Sequence, residues 1–328
     1  MTGNNKENSA TSGNSSGGGA AAEKREREKK EANDNSDDND DSGNSTSKNL
    51  VGMIMGDGDG DGGGGGSGNN SSGGGESSRR AAVVVDSETL VAQTQDRLWR
   101  ALKRRYQYDS SLKPAQDYLL NHVSSKIPLV IMYADLVGST NMSMSLPVDK
   151  LVTIIRSFTQ EMSSVVESHG GYVLKYVGDA VIAFFPASYN RYMACDKAVQ
   201  CARSMITVVK NGINPILNQY DYPELGVKIG IDEGENVIVQ YGHDRSSPID
   251  ILGYCMNIAA KITSLTGPNR ISIGEDVYSM LHPSEKALFE EMDLNPEDWK
   301  YRNRVTDQLY KVYTLKMKEG KERERRSS

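Results

Sequence analysis

No aromatic residue occurs in the first 80 positions; the first of the chain's 22 is Trp99. That stretch also carries 19 of the 32 glycines. A segment so composed cannot bury enough apolar area to offset the entropy of ordering its backbone. Cysteine is scarce too. Cys195, Cys201 and Cys255 form no C-x-x-C and no zinc spacing, which excludes a disulfide framework and a zinc ribbon. Cys195 and Cys201 lie six apart in a helical pattern, on different faces, and read as reduced core residues of a cytosolic protein. No apolar run approaches the roughly 18 residues of a membrane span. The opening Met1-Thr-Gly-Asn-Asn-Lys6 has no apolar h-region, so neither an anchor nor a secretory signal is expected, and the location expected is cytoplasmic. A basic excess is missing as well. The first 80 residues hold 9 basic and 14 acidic groups, which leaves the rest of this −6 chain close to neutral. A general nucleic-acid binder would be basic.

Composition divides the chain. Residues 1–85 read as a disordered segment of Ser/Asn/Gly tracts, with mixed charge from Glu23 to Glu31 and an acidic run from Asp34 to Asp41. Asp57, Asp59, Asp61 and Gly62 imitate the first half of a calcium loop, but its twelfth position is Gly68 where a bidentate Glu is required. The glycine run 62–66 satisfies G-x-G-x-x-G only trivially, since no strand precedes it. Residues 86–124 read as a helical linker. Leu90, Leu98, Trp99 and Leu102 have partial helical spacing, and Arg97, Arg100, Lys103, Arg104 and Arg105 form a basic face. The simpler reading is a helix packed on the domain by its apolar stripe; the alternative is a signalling or dimer-forming helix. Residues 319–328 are a charged tail.

Residues 125–318 read as one α+β domain, long enough for one sizeable core. Pro128–Tyr133 is a buried central strand. Leu151, Ile154, Ile155, Phe158, Met162 and Val165 mark a helix over 148–168, closed by Gly170-Gly171. Strands 172–177 and 180–185 form a hairpin around Gly178-Asp179. A second helix follows over 193–211, then strands 227–232 and 236–241, a helix over 255–265 and a strand over 270–273. The order β-α-β-β-α-β is the ferredoxin-like split βαβ arrangement, an antiparallel sheet under two main helices.

The central strand runs into Ala134-Asp135-Leu136-Val137-Gly138-Ser139-Thr140. A carboxylate at the end of a buried strand needs a cation or donors, and the turn at Gly138, Ser139 and Thr140 can offer backbone N–H groups to phosphate. Asp179 sits in the hairpin turn. Alone it reads as a turn residue. If the two strands are neighbours, Asp135 and Asp179 meet at one edge, where paired carboxylates suit a hard divalent ion with retained waters and substrate phosphates.

Three segments, Tyr133-Ala-Asp-Leu-Val-Gly-Ser-Thr140, Gly170-Gly-Tyr-Val-Leu-Lys-Tyr-Val-Gly-Asp-Ala180 and Asp250-Ile-Leu-Gly-Tyr-Cys-Met-Asn-Ile-Ala-Ala-Lys261, resemble the class III adenylate/guanylate cyclase catalytic domain in the right order. The resemblance covers roughly 125–315. It implies that Asp135 and Asp179 hold two Mg²⁺ or Mn²⁺ ions per site for attack of a ribose 3′-hydroxyl on the α-phosphate. No side-chain nucleophile is needed, so His169 and His243 are left as loop and surface residues. It further implies that Lys175 and Asp250 read the base, that Asn257 orients the ribose and that Arg304 contacts the terminal phosphates.

Adenine presents an acceptor at N1 and a donor at its amino group, and guanine the reverse. A Lys donor with an Asp acceptor therefore fits adenine, and the expected activity is conversion of ATP to 3′,5′-cyclic AMP and pyrophosphate. Asn257 and Lys261 are four apart on one helix, hence on one face. Lys261 departs from the family, which usually has Arg there; lysine keeps the charge and loses the planar fork. That departure sustains an alternative, a catalytically silent, nucleotide-binding regulatory module. The family builds its site from two subunits, so the resemblance implies a head-to-tail homodimer with two composite sites.

Overall fold

Alternation along one strand sets the two faces of the molecule. In β1 (Lys126–Leu136), Val130, Met132, Ala134 and Leu136 join one core while Ile127, Leu129 and Ile131 join another, as the two-residue period requires. Tyr133 packs against the second core, so Asp135 continues that row onto the same face. The computed structural model describes residues 86–103 and 112–316. The segment 1–85, with its aspartate and glycine tracts, and the tail 319–328 lie outside the described residues.

Before β1 come α1 (Ser87–Lys103) and α2 (Lys113–Leu120). After it come α3 (Ser139–Ser145), α4 (Val148–Ser168), β2 (Tyr172–Val177), β3 (Ala180–Pro186), α5 (Arg191–Thr207), α6 (Asn214–Leu217) and β4 (Val227–Gln240). The chain closes with β5 (Ile249–Gly253), α7 (Tyr254–Leu265), β6 (Arg270–Gly274), α8 (Glu275–Met280), α9 (Pro283–Lys286), β7 (Phe289–Glu291) and β8 (Val312–Leu315). The strand order is β2-β3-β1-β4-β6-β8-β7, with β5 paired to β4. Each neighbouring pair among its first four strands is antiparallel, and with α4 and α5 these strands make the split βαβ unit expected from the element order. α4 and α5 cover the first face, and α2 and α7 cover the second. α7 lies close because β4 carries Gly230: a Cβ there would stand 2.5 Å from Thr263 N and 2.7 Å from Ala259 O.

Several elements differ from the sequence reading. The two strands expected over 227–232 and 236–241 are one strand, β4. The polar run Asp232-Glu233-Gly234-Glu235 looks like a break, but it stays paired with Ile131, Val130, Leu129 and Pro128 of β1. The helix expected over 193–211 ends at Thr207 and passes into a π-helical turn, Val208–Ile213. Asp135 is not beyond the central strand but within it. The strand β5, which carries Asp250, was not foreseen.

α1 follows the simpler of its two readings. It buries Leu90, Thr94 and Leu98 against this same chain, the two leucines contributing about 2 kcal/mol each. Thr94 meets Gly212 of the π-helical turn, where a Cβ would stand 2.9 Å from its methyl group. Deeper in, Glu161 of α4 is fully buried, accepts from Thr94 Oγ1 at 2.7 Å and pairs with Arg97 at 2.5 Å. A buried carboxylate without its cation is costly. Arg97→Ala should therefore lower unfolding free energy by about 3 kcal/mol, with Arg97→Lys intermediate, in urea denaturation of the full chain. A loss below about 0.5 kcal/mol would mean that the pair is solvated rather than structural.

A second buried acid behaves differently. Asp232 is fully buried and accepts from Tyr310 Oη at 2.7 Å, while its Oδ2 has no partner. Burial pushes its carboxyl well above the usual range, so the folded protein retains a proton that the unfolded chain releases near pH 4. Stability attributable to Asp232 is complete below about pH 4 and is lost as pH rises through the raised folded value. Burial lifts Glu233 and Asp276 in the same direction. Asp232→Asn, which keeps the acceptor for Tyr310 and cannot ionise, should flatten but not abolish the decline in melting temperature between about pH 4 and 8. An unchanged slope would remove Asp232 as a source of it.

Candidate active site

The sheet brings the two predicted carboxylates together. Asp135 on β1 is the cross-strand partner of Ala180 on β3, and Asp179 is the residue before Ala180, in the turn that Gly178 makes at φ 62°. On the other side Asp135 is paired in register with Lys228 of β4, whose Nζ lies 2.9 Å from Asp135 Oδ2. Asp179 Oδ2 is buried with no hydrogen-bond partner. An orphaned carboxylate oxygen beside a second carboxylate is what a hard cation would satisfy. The donor set fits: two acidic side chains, and among the described residues no histidine or thiolate grouped with them to favour a softer metal. Among the described residues no third acidic, histidine or cysteine side chain joins them in a metal cluster, so this pair would leave coordination positions to substrate.

Gly138 turns the chain from β1 into α3 at φ 75°, ψ 16°, a left-handed conformation that glycine adopts without penalty. The amides of Ser139 and Thr140 begin α3, whose first intrahelical bond runs from Met142 N to Gly138 O at 3.0 Å. The phosphate-facing trio of the sequence reading therefore follows the strand that carries Asp135 by three to five residues.

Lys175 and Asp250 meet. Lys175 Nζ donates to Asp250 Oδ2 at 2.5 Å, and Asp250 Oδ1 accepts from Ile251 N at 2.9 Å. They come from opposite parts of the sheet, β2 and β5, so the β4–β5 hairpin must fold across the second face to join them. Lys175 is registered with Ile182, and Ile182 with Tyr133. Tyr133 belongs to this group although sequence reasoning left it out: burial first, then the Asp250 charge, raises its phenol above the ordinary value. Its only signal in the sequence was its place two residues before Asp135.

A third group lines α7. Asn257 and Lys261 are exposed on one face, and Tyr254, three residues before Asn257, shares it. Arg304 comes from the loop before β8 and stacks its guanidinium 4.2 Å from the Tyr254 ring centre; Tyr254 Oη donates to Arg302 O at 2.8 Å. Arg304, Asn257 and Lys261 thus run in file along roughly 10 Å of helix. Among the described residues no hydrogen bond or ion pair links this file to the carboxylate pair. Lys228, like Tyr133, escaped the sequence reading. A lysine between Val227 and Ile229, both fully buried, was its only trace.

The three cysteines are free and buried, and burial pushes each thiol well above its ordinary range. They are inert core groups, as their spacing suggested. No helix among the described residues is long and apolar enough to cross a membrane.

Known proteins place this geometry. The chain is 25% identical over 161 residues to a cytidylate cyclase of Escherichia coli, covering 47% of this chain and 35% of that protein. It is 27% identical over 202 residues to a uridylate cyclase of Burkholderia cepacia, covering 60% and 86%. The solved adenylyl cyclase CyaB from P. aeruginosa superposes with a TM-score of 0.50 at 22% identity, over 59% of this chain and 95% of that one. The guanylyl cyclase Cya2 does so with a TM-score of 0.50 at 20% identity, over 59% and 93%. At those identities the likeness to the solved structures is one of fold. Residues 123–310, more than half of the sequence, match the adenylate and guanylate cyclase catalytic domain, and the chain belongs to that family.

Proposed function

We propose that this chain converts ATP to 3′,5′-cyclic AMP and pyrophosphate at composite sites in a homodimer. The observation that carries the choice of nucleotide is the Lys175–Asp250 pair. Asp250 Oδ1 is held by the Ile251 amide and Oδ2 by Lys175; in this reading the base edge enters between the two side chains, the Asp250 carboxylate accepting from the adenine amino group and the Lys175 ammonium donating to N1. A keto base would set donor against donor and acceptor against acceptor, at about 1–3 kcal/mol for each group left mispaired.

Asp135 and Asp179 hold Mg²⁺ or Mn²⁺ in this reading. The bound ions supply Lewis-acid activation of the 3′-hydroxyl and neutralise the triphosphate. The remaining work falls to side chains and amides of the chain. The Gly138, Ser139 and Thr140 amides bind phosphate oxygens. Asn257 orients the ribose so that O3′ lies in line with the bond to be broken. Lys261 and Arg304 place positive charge where the α-phosphate and the departing pyrophosphate become more negative. O3′ bonds to the α-phosphorus, the bond from that phosphorus to the bridging oxygen breaks, and the 3′-hydroxyl proton passes to solvent. In this reading, as the family's two-subunit site implies, each complete site takes the carboxylate pair from one protomer and the α7 file, with Lys175 and Asp250, from its partner.

Cytosine presents the same edge as adenine, an acceptor at N3 and a donor at its amino group, and a cytidylate cyclase is among the relatives. CTP is therefore the second substrate reading. The Escherichia coli cytidylate cyclases extend beyond the match, since the chain spans 35% of their length.

Incubating the full chain with Mn²⁺ and each of the four nucleoside triphosphates separates these readings. Cyclic AMP and pyrophosphate from ATP are expected, with GTP and UTP turned over at least about tenfold less efficiently. Cyclic CMP as the main product would move the assignment to the second reading, and nucleotide binding without product would favour a silent regulatory module. Asp135→Ala and Asp179→Ala should each abolish turnover. A mixture of inactive Asp135→Ala and inactive Asn257→Ala chains should regain part of the activity, since one composite site of the heterodimer is intact. Absence of rescue, with heterodimers present by mass, would rule out the shared site.

A further inference from the structure

Lys228 and Asp135 are cross-strand partners, and their charged groups stand 2.9 Å apart. Their side chains are 28% and 26% exposed, so the contact is partly shielded from water and stronger than an open surface pair. Among the described residues Lys228 has no other ion-pair partner. Asp179, one position from the same register line, keeps a buried oxygen without any partner. The ammonium of Lys228 thus serves Asp135, and the buried oxygen of Asp179 is left without a partner.

We propose that Lys228 is a positioning residue for the metal site: in the metal-free protein it holds Asp135 in place, and an entering divalent cation must displace its ammonium from Asp135 Oδ2. This rests on the reading of Asp135 and Asp179 as the metal-holding pair. Asp135 is only 26% exposed, and without a counter-charge it would rotate toward solvent. The ammonium prevents that rotation. It is also replaceable, being a point charge on a flexible four-carbon stem. A divalent ion satisfies both carboxylates at once, including the Asp179 oxygen that Lys228 leaves unserved. The lysine is then a competitor whose strength sets the metal affinity. Arginine, with a planar fork matched to a carboxylate, would compete more strongly; methionine, of similar length and no charge, would not compete.

Mn²⁺ affinity of the full chain without nucleotide, by titration calorimetry or the EPR signal of free Mn²⁺, tests the order. Lys228→Met should bind about fivefold more tightly than the wild type and Lys228→Arg about fivefold more weakly. In chelator, Lys228→Met should melt below the wild type, and Mn²⁺ should raise its melting temperature by more than it raises that of the wild type. Equal affinities across the three proteins, or weaker binding by Lys228→Met, would overturn the inference while leaving the metal pair standing, provided that Asp135→Asn loses Mn²⁺ binding. Undiminished binding by Asp135→Asn would overturn the metal reading, and this inference with it.

Discussion

One ion pair across the central strands, Lys228 with Asp135, ties the end of β1 to the start of β4, and the turn that carries Asp179 lies next to it in register. Asp135 is drawn into the row by the alternation of β1, Asp179 by the turn between β2 and β3, and Lys228 by the register of β4. One ammonium cannot serve both acids. Asp179 keeps an unsatisfied buried oxygen, a cost that the proposed metal would remove.

The scaffold around that edge is rigid. β1 lies in the middle of the sheet, paired over most of its length with β3 and over all of it with β4, and its residues belong to two separate cores. A one-residue slip in either pairing would exchange Met132 for Tyr133 and turn Asp135 into the opposite core. α1 and α2 add to this from both sides: Leu90 and Leu98 join the first core, Ala115 and Leu119 the second. What reads as a linker in the sequence is, where it is described, part of the packing around β1.

The separate groups have different electrostatic character. Lys175 and Asp250 neutralise each other, and in the proposed function they exchange that contact for a base edge. The file on α7 is polar and cationic, with Arg304 braced on Tyr254. Asp232 and Tyr310 form a buried pair in which burial raises the carboxyl, and the Tyr310 ring meets Tyr254 at the start of α7.

Residue type and local spacing were sufficient to show that Asp135 ends an apolar run, that Gly178-Asp179 makes a hairpin turn, that Asn257 and Lys261 share a helical face and that three cysteines are core residues. These follow from periods of two and 3.6 and from glycine chemistry, which act over a few neighbours. Lys228 and Tyr133 could not be found that way, nor could the continuity of β4 through Asp232-Glu233-Gly234-Glu235. Their roles depend on which residue lies opposite on another strand, and on a hairpin folding Asp250 over to Lys175 from 75 positions away. Register between distant strands is decided by the summed packing of two cores and by backbone pairing. No local stretch of the chain contains that information, so it is the folded sheet that turns scattered polar residues into a site.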